Sequence, residues 1–217
     1  MGVATTIQRL RPRRQRRLTQ NDIDRYLTAI GTQLPLLAEE REELLARLRR
    51  WAEADDGKPV YMLNLMRYYD PPRAYPGAPT DFSGTAEQAN AHYERGVTPL
   101  VLRRGSYPLL TGRAQGTNLT PSAPEFDEWN RVLLMRYPSR RAFLDLLADP
   151  AYAKLWPYKA MAVQLVLLPV SGDLVLPELK TVVAGAATSL LLGLGWLRSA
   201  LNNRGTSEHQ GMAGRPR

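Results

Sequence analysis

A chain of 217 residues, 44% of them apolar, has room for one ordinary domain with appendages and enough material for a real core. It has no Cys, which excludes disulfides, zinc–thiolate sites, iron–sulfur clusters and a Cys nucleophile. Its only His are His92 and His209, so no metal site and no cofactor are expected. The net charge of +8 sits at the ends. Residues 1–17 hold six Arg and no acid, 198–217 hold four Arg and one Glu, and the span between holds 19 basic and 20 acidic residues. A neutral middle with basic ends argues against a folded nucleic-acid platform, so no specific nucleic-acid partner is expected.

Residues 1–21, with "RLRPRRQRR" at 9–17, contain no apolar run and are expected to form a disordered basic arm, either solvated or drawn to anionic lipid. No hydrophobic segment follows the Arg pairs, so a secretory or twin-arginine signal does not match. Residues 22–56 read as an accessory helical segment. Leu36, Leu37, Leu44, Leu45, Leu48 and Trp51 recur near helical spacing, and acids precede arginines as the helix dipole prefers. "DDGKP" at 55–59 ends it.

The next stretch, 57–171, is organised around a repeat. "LMRY" occurs at 65–68 and again at 134–137, each time closing an apolar run, "VYMLNLMRY" and "WNRVLLMRY". In chain order there is a strand over 60–68, a Pro-rich loop and a helix from about Thr85 to Arg104 ended by Gly105. A second strand follows over 107–115 and a third over 129–137. A helix then begins at Pro138–Ser139 with Ser139 as its cap, and a fourth strand covers 162–170. The order β-α-β-β-α-β is the split βαβ, ferredoxin-like plan of the α+β class, in which the first and third strands are central neighbours. The repeat falls on those two strands and reads as the internal pseudo-symmetry of the fold.

Alternation along the strands sorts their faces. Leu63, Leu65, Arg67, Val132, Leu134 and Arg136 form an aliphatic face, expected under the helices, with Arg67 and Arg136 bonding helix ends or acids such as Asp145. Met62, Asn64, Met66, Tyr68, Trp129, Arg131, Leu133, Met135 and Tyr137 form the other face. A four-stranded sheet with helices on one side must cover its second face, and a second copy of the same sheet does so in a dimeric α/β barrel. The Met-rich face is therefore expected at a homodimer interface.

"PVYMLNLMRY", "HYERGVTPLVLRRGS" and "WNRVLLMRYPSRRAFLDLLADPAYAKL" resemble an uncharacterised bacterial family, a domain of unknown function, in the dimeric α/β-barrel superfamily. That superfamily includes EthD-like proteins, NIPSNAP proteins and antibiotic-biosynthesis monooxygenases. The resemblance covers about 57–170. It implies a ferredoxin-like fold and dimerisation, and it transfers no catalytic residue.

Beyond a tether at 172–180 lies "TVVAGAATSLLLGLGWL" at 181–197, without a charge and bracketed by Lys180 and Arg198. Its 17 residues are near the minimum for a bilayer span. Gly185, Ser189 and Gly193 form a small-residue stripe suited to helix pairing in lipid. Residues 181–198 are expected to be a transmembrane helix anchoring the protein, with membrane lipid as a partner and the main domain cytoplasmic; the other reading is a soluble helix packed on the domain. Residues 199–217 form a disordered basic tail.

Asn64 and Arg131 are the polar residues of the Met-rich face. Either they fix a polar group of a small hydrophobic or aromatic ligand, walled by Tyr68, Trp129 and Tyr137, or they bond each other or the partner subunit. Catalytic residues are unknown from sequence. His92 and Arg131 are the candidates, His92 as an acid/base group or else as surface or core filler. Two function classes follow. One is a membrane-tethered dimeric barrel that binds a small molecule, with cofactor-free oxygenase or isomerase chemistry as its catalytic form. The other is a non-catalytic interaction or scaffold dimer at the membrane. A pocket open at Asn64 and Arg131 favours the first, and one plugged by Met62, Met66 and Met135 favours the second.

Overall fold

The structure is a computed structural model. It describes residues 16–117, 119, 128–172, 187–196 and 198. The chain divides into two compact units, Met1–Gly172 and Asp173–Arg217. Most of the arm, all of the tail, residues 173–180 of the tether and the start of the apolar segment at 181–186 lie outside the described residues.

The first unit is an α+β body with a four-stranded antiparallel sheet. Its elements in chain order are α1 (Gln20–Gln33), α2 (Ala38–Glu53), β1 (Val60–Tyr68), α3 (Ala86–Leu102), β2 (Tyr107–Arg113), β3 (Arg131–Tyr137), α4 (Arg140–Leu147), α5 (Pro150–Ala162) and β4 (Val163–Val170). The strands lie in the order β2-β3-β1-β4. The two strands that carry "LMRY" are central neighbours, and they run antiparallel with Leu63 opposite Leu134 and Met62 opposite Met135.

Local chemistry sets the helix ends. Thr19 and Asp22 form a capping box at α1, and Thr85 and Gln88 form another at α3. Gly105, with φ at +67°, closes α3 in the left-handed conformation that favours glycine. The Ser139 hydroxyl caps α4, accepting from the Ala142 N–H at 3.2 Å. The continuous helical pattern after Ser139 breaks in two, because the Asp149 carboxylate accepts from the Ala151 N–H at 2.8 Å and Pro150 opens α5. The 22–56 segment likewise splits around Pro35 into α1 and α2. These two helices join the main core through Ile23, Leu27, Ile30 and Leu48, with Trp51 edge-on to Phe143 of α4.

The assignment of the two sheet faces is corrected. Burial along β1 alternates, with Val60, Met62, Asn64 and Met66 buried and Tyr61, Leu63 and Leu65 only partly so. Met62, Met66, Met135 and Tyr137 lie under the helices, in the core of the subunit. The aliphatic face is the one the helices leave open. Leu63, Leu65, Val132 and Leu134 share it with Val166, Leu168 and Val170 of β4 and Leu110 of β2. Leu110 and Leu168 are 55% and 51% exposed there. Period-two alternation says which residues share a face, not which face the helices cover. Both faces are apolar, and unbranched methionines fill the irregular space beneath crossing helices at least as well as leucines do.

In the second unit residues 187–196 are helical, and Leu190, Leu191, Leu192, Leu194 and Trp196 are exposed. Among the described residues no helix is long and apolar enough to cross a membrane.

Candidate functional site

The helices do not close completely on the sheet. A cavity of about 200 Å³ remains between α3, α4 and α5 on one side and the inner face of β1, β3 and β4 on the other. Its walls are apolar, with Met62, Val97, Leu133, Met135 and Leu165 among them. On α5, Tyr152, Trp156 and Lys159 follow at spacings of four and three, so they share one face, and it points into this space. On α3, Tyr93 and Val97 do the same.

Among the described residues the cavity has three charged side chains, Glu94, Arg131 and Lys159. Arg131 opens β3, and its guanidinium makes a two-pronged pair with Glu94 of α3. Nε donates to one carboxylate oxygen at 3.0 Å and Nη2 to the other at 2.8 Å. Lys159 is 5% exposed. Its ammonium donates to Asn64 Oδ1 at 3.0 Å and lies 5.1 Å from the centre of the Tyr93 ring. Burial holds Lys159 below the ordinary lysine range, lowered to about 8; nearby Glu94 opposes the shift and Arg131 adds to it. Asn64 is 4% exposed and uses its amide N–H groups on the carbonyls of Met62 and Leu133, at 3.1 and 3.3 Å. Its carbonyl is thereby turned to Lys159.

Three phenols line the same cavity. Burial raises the hydroxyls of Tyr93 and Tyr137 well above the usual tyrosine range, and it pushes Tyr152 up to about 12. All three are neutral donors or acceptors at physiological pH.

The structure thus brings Asn64, Arg131 and Tyr137 to one cavity, but inside the subunit and not at the open sheet face. Asn64 and Arg131 do not bond each other; each has its own partner, Lys159 and Glu94. Tyr68 and Trp129 lie elsewhere, in a neighbouring hollow between the end of β1 and the start of β3, which Arg131 also borders. Trp129 lies against the Arg67 guanidinium at 5.4 Å, and Arg67 Nε donates to the Glu128 carbonyl. Arg136 lies over the Tyr107 ring, while Asp145 takes the Tyr26 hydroxyl and not an arginine of the sheet. His92 is exposed on α3, its ring 4.2 Å from that of Tyr158, and it does not border the cavity.

Lys159 and Glu94 are the members that sequence reasoning missed. A signal existed for Lys159. From Leu155 to Val170, "LWPYKAMAVQLVLLPV", it is the one charged residue in an otherwise uncharged run. A lone charge in such a run is either a surface residue or a buried functional one. Glu94 sits in a polar helix and gave no comparable sign.

These observations define an α+β protein whose four-stranded sheet and helical layer leave a small cavity with a buried lysine between them. No protein-family model and no curated protein matches the chain. It is similar to RPA0582, a protein of unknown function from Rhodopseudomonas palustris. The two share 29% identity over 62% of this chain and 94% of that one, with a TM-score of 0.49. A methylated form of RPA0582 gives 29% identity, 61% and 93% coverage, and a TM-score of 0.48.

Proposed function

We propose that this protein is a ferredoxin-like subunit of a dimeric α/β barrel that binds a compact, largely apolar molecule in the cavity beneath its sheet. The observation that carries the reading is the cavity itself: a partly open cleft walled by aliphatic and aromatic side chains and supplied with a few fixed polar groups, as small-molecule sites are. Its size is in keeping with one ring and a short substituent, since an apolar cavity of about 150 Å³ holds benzene. The β-α-β-β-α-β order and the strand order β2-β3-β1-β4 support the ferredoxin-like part. The uncovered aliphatic face supports the dimer, now through Leu65, Leu134, Val166 and Leu168 and not through the methionines.

The uncharged segment at 181–197 and the exposed leucines at 190–194 support attachment of this subunit to lipid. In this reading the cavity faces the cytoplasm, and any chemistry there is proton transfer or cofactor-free oxygenation of the bound ring. The test is binding of neutral ring-sized compounds, benzyl alcohol and indole, to the full chain by ligand-observed NMR. Saturable binding that Leu133→Phe weakens is expected, because the larger side chain fills the cavity. Absence of saturable binding at millimolar concentration rejects the cavity as a site.

A further inference from the structure

A buried ammonium needs a compensating group, because taking it from water costs several kcal/mol unless it is paired or well hydrogen-bonded. Arg131 in the same cavity meets this need with Glu94. Lys159 does not. Its hydrogen-bond partner is the neutral amide of Asn64, and no described carboxylate lies within ion-pair distance of it. Glu94 is near enough to be felt, but both of its oxygens are engaged by Arg131, and Asn90 Nδ2 donates to one of them as well. The three charges of the cavity therefore sum to a single surplus positive charge at Lys159 Nζ. An ammonium has three donors. One is used on Asn64, and Lys159 borders the cavity.

We infer that the molecule held here is a monoanion of ring size, a small aromatic or branched aliphatic carboxylate, with its carboxylate on Lys159 Nζ and its body against Tyr93, Val97, Leu133 and Trp156. This rests on the cavity reading above and adds the charge of the ligand to it. A dianion would leave a buried negative charge unpaired, and a cation would repel Lys159. A neutral molecule of the same shape would fill the space without relieving the ammonium. The Asn64 amide is fixed by two backbone carbonyls, so it holds the ammonium in place for the incoming oxygen. The bound anion and Lys159 make a charge-assisted hydrogen bond at a residue only 5% exposed, where such bonds are stronger than at the surface.

The experiment compares benzoate with its neutral counterpart benzyl alcohol on the full chain by calorimetric titration. At pH 7 benzoate is expected to bind about tenfold tighter or more. Lys159→Met should remove that preference, so that the ratio of benzoate to benzyl alcohol affinity falls to about one or below. A second readout needs no variant. Between pH 7 and 9.5 benzoate affinity in the wild-type chain should fall as the amine loses its proton, with benzyl alcohol affinity flat. The groups facing Lys159 in the cavity are Tyr93 and Glu94 from α3, Arg131 and Tyr137 from β3, and Tyr152 from α5. Across a wider hollow on its other side lie Glu40, Glu43, Arg47 and Arg50 of α2, with Tyr69, Arg73 and Tyr75. Carboxylates and guanidiniums as classes hold their charge through that range.

Equal affinity for the two probes, or benzoate binding that survives Lys159→Met unchanged, overturns the assignment. Binding of benzyl alcohol without benzoate overturns the anion and leaves the cavity reading standing. Binding of neither overturns both.

Discussion

Lys159 Nζ and Asn64 Oδ1 are 3.0 Å apart, and this bond joins the last turn of α5 to the middle of β1 across 95 residues of sequence. It is a polar link between the helices and the sheet, beside the Arg131–Glu94 pair that joins β3 to α3. Each side constrains the other. The amide orientation is fixed by the Met62 and Leu133 carbonyls, so the oxygen can face only the lysine. The lysine in turn has no described carboxylate within ion-pair distance to turn to.

Replacing Asn64 by Leu should therefore strand a buried ammonium. The expected loss at pH 7 is about 2–4 kcal/mol in urea unfolding. If the cost is that of the stranded charge, most of it disappears when Lys159→Met is added, because both polar partners are then gone. Additive losses in the double variant would show that Asn64 contributes through its backbone bonds alone.

The corrected sheet faces give opposite expectations for two residues of similar size. Leu168 is on the open face and half exposed, whereas Met135 is 8% exposed within the core. If the open face pairs two subunits as proposed, Leu168→Lys should yield a monomer in sedimentation equilibrium with less than about 1 kcal/mol change in subunit stability. Met135→Ala should cost about 2–5 kcal/mol of stability. A wild-type chain that sediments as a monomer at micromolar concentration would end the barrel reading.

The strand and helix order was legible because the strands are long apolar runs and the punctuation is strong: Gly105, Ser139 and the Pro-rich loop each sit where an element ends or begins. Asn64, Arg131 and Tyr137 were also legible as a set, since alternation places them on one face whichever way that face looks. What a strand pattern cannot carry is depth. Nothing in "VYMLNLMRY" says that helices will lie on its methionines, and that choice depends on side chains of α3 and α5 far away in sequence. Lys159 and Glu94 were missed for the same reason. Their helices read as ordinary, and only the packing of α3 against α5 brings them to the sheet.

Asp22 ties the first helix to the body. Its carboxylate accepts from Thr19 N–H at 3.0 Å, from the Thr19 hydroxyl at 2.8 Å and from Arg141 Nη2 of α4 at 2.8 Å. These bonds, the Arg141 one foremost, hold the carboxyl well below the usual range. A depressed carboxylate stabilises the fold above its unfolded pKa, about 3.9, and the contribution is lost as pH falls below that. Asp22→Ala should cost about 1 kcal/mol at pH 7, because the Asp22 half of the capping box and the tie to Arg141 are lost while the Thr19 cap remains. The gap between wild type and variant should narrow on acidification below pH 4. A gap that persists unchanged at pH 2 would assign the loss to packing.

The apolar segment at 181–197 makes a prediction about attachment. Its described part, 187–196, is helical and presents Leu190, Leu191, Leu192 and Leu194 uncovered. If the segment enters lipid, the full chain stays in the membrane fraction through a high-salt wash and leaves with detergent. Removing residues 178–217 then makes it soluble. Release of the intact chain by salt alone would leave only electrostatic docking of the basic ends.

Lys159 also sets a pH dependence of stability. Burial lowers its pKa to about 8, and in the unfolded chain a lysine titrates near 10.4. Below about 8 both states hold the proton, so the burial penalty is fully present and constant. Between about 8 and 10.4 the unfolded chain binds a proton that the folded one has released, so stability rises with pH, by about 1.4 kcal/mol per unit. Above 10.4 the penalty is gone. Lys159→Met lacks this titration and shares every other group. The stability of wild type relative to the variant should thus climb by about 2 kcal/mol between pH 7.5 and 9.5, read by urea unfolding at each pH. The climb should shift to higher pH when saturating benzoate is present, because an anion on the ammonium favours its charged form. A difference that stays flat across the range would mean that the ammonium is hydrated in the folded protein, and the cavity would then be wet at Lys159.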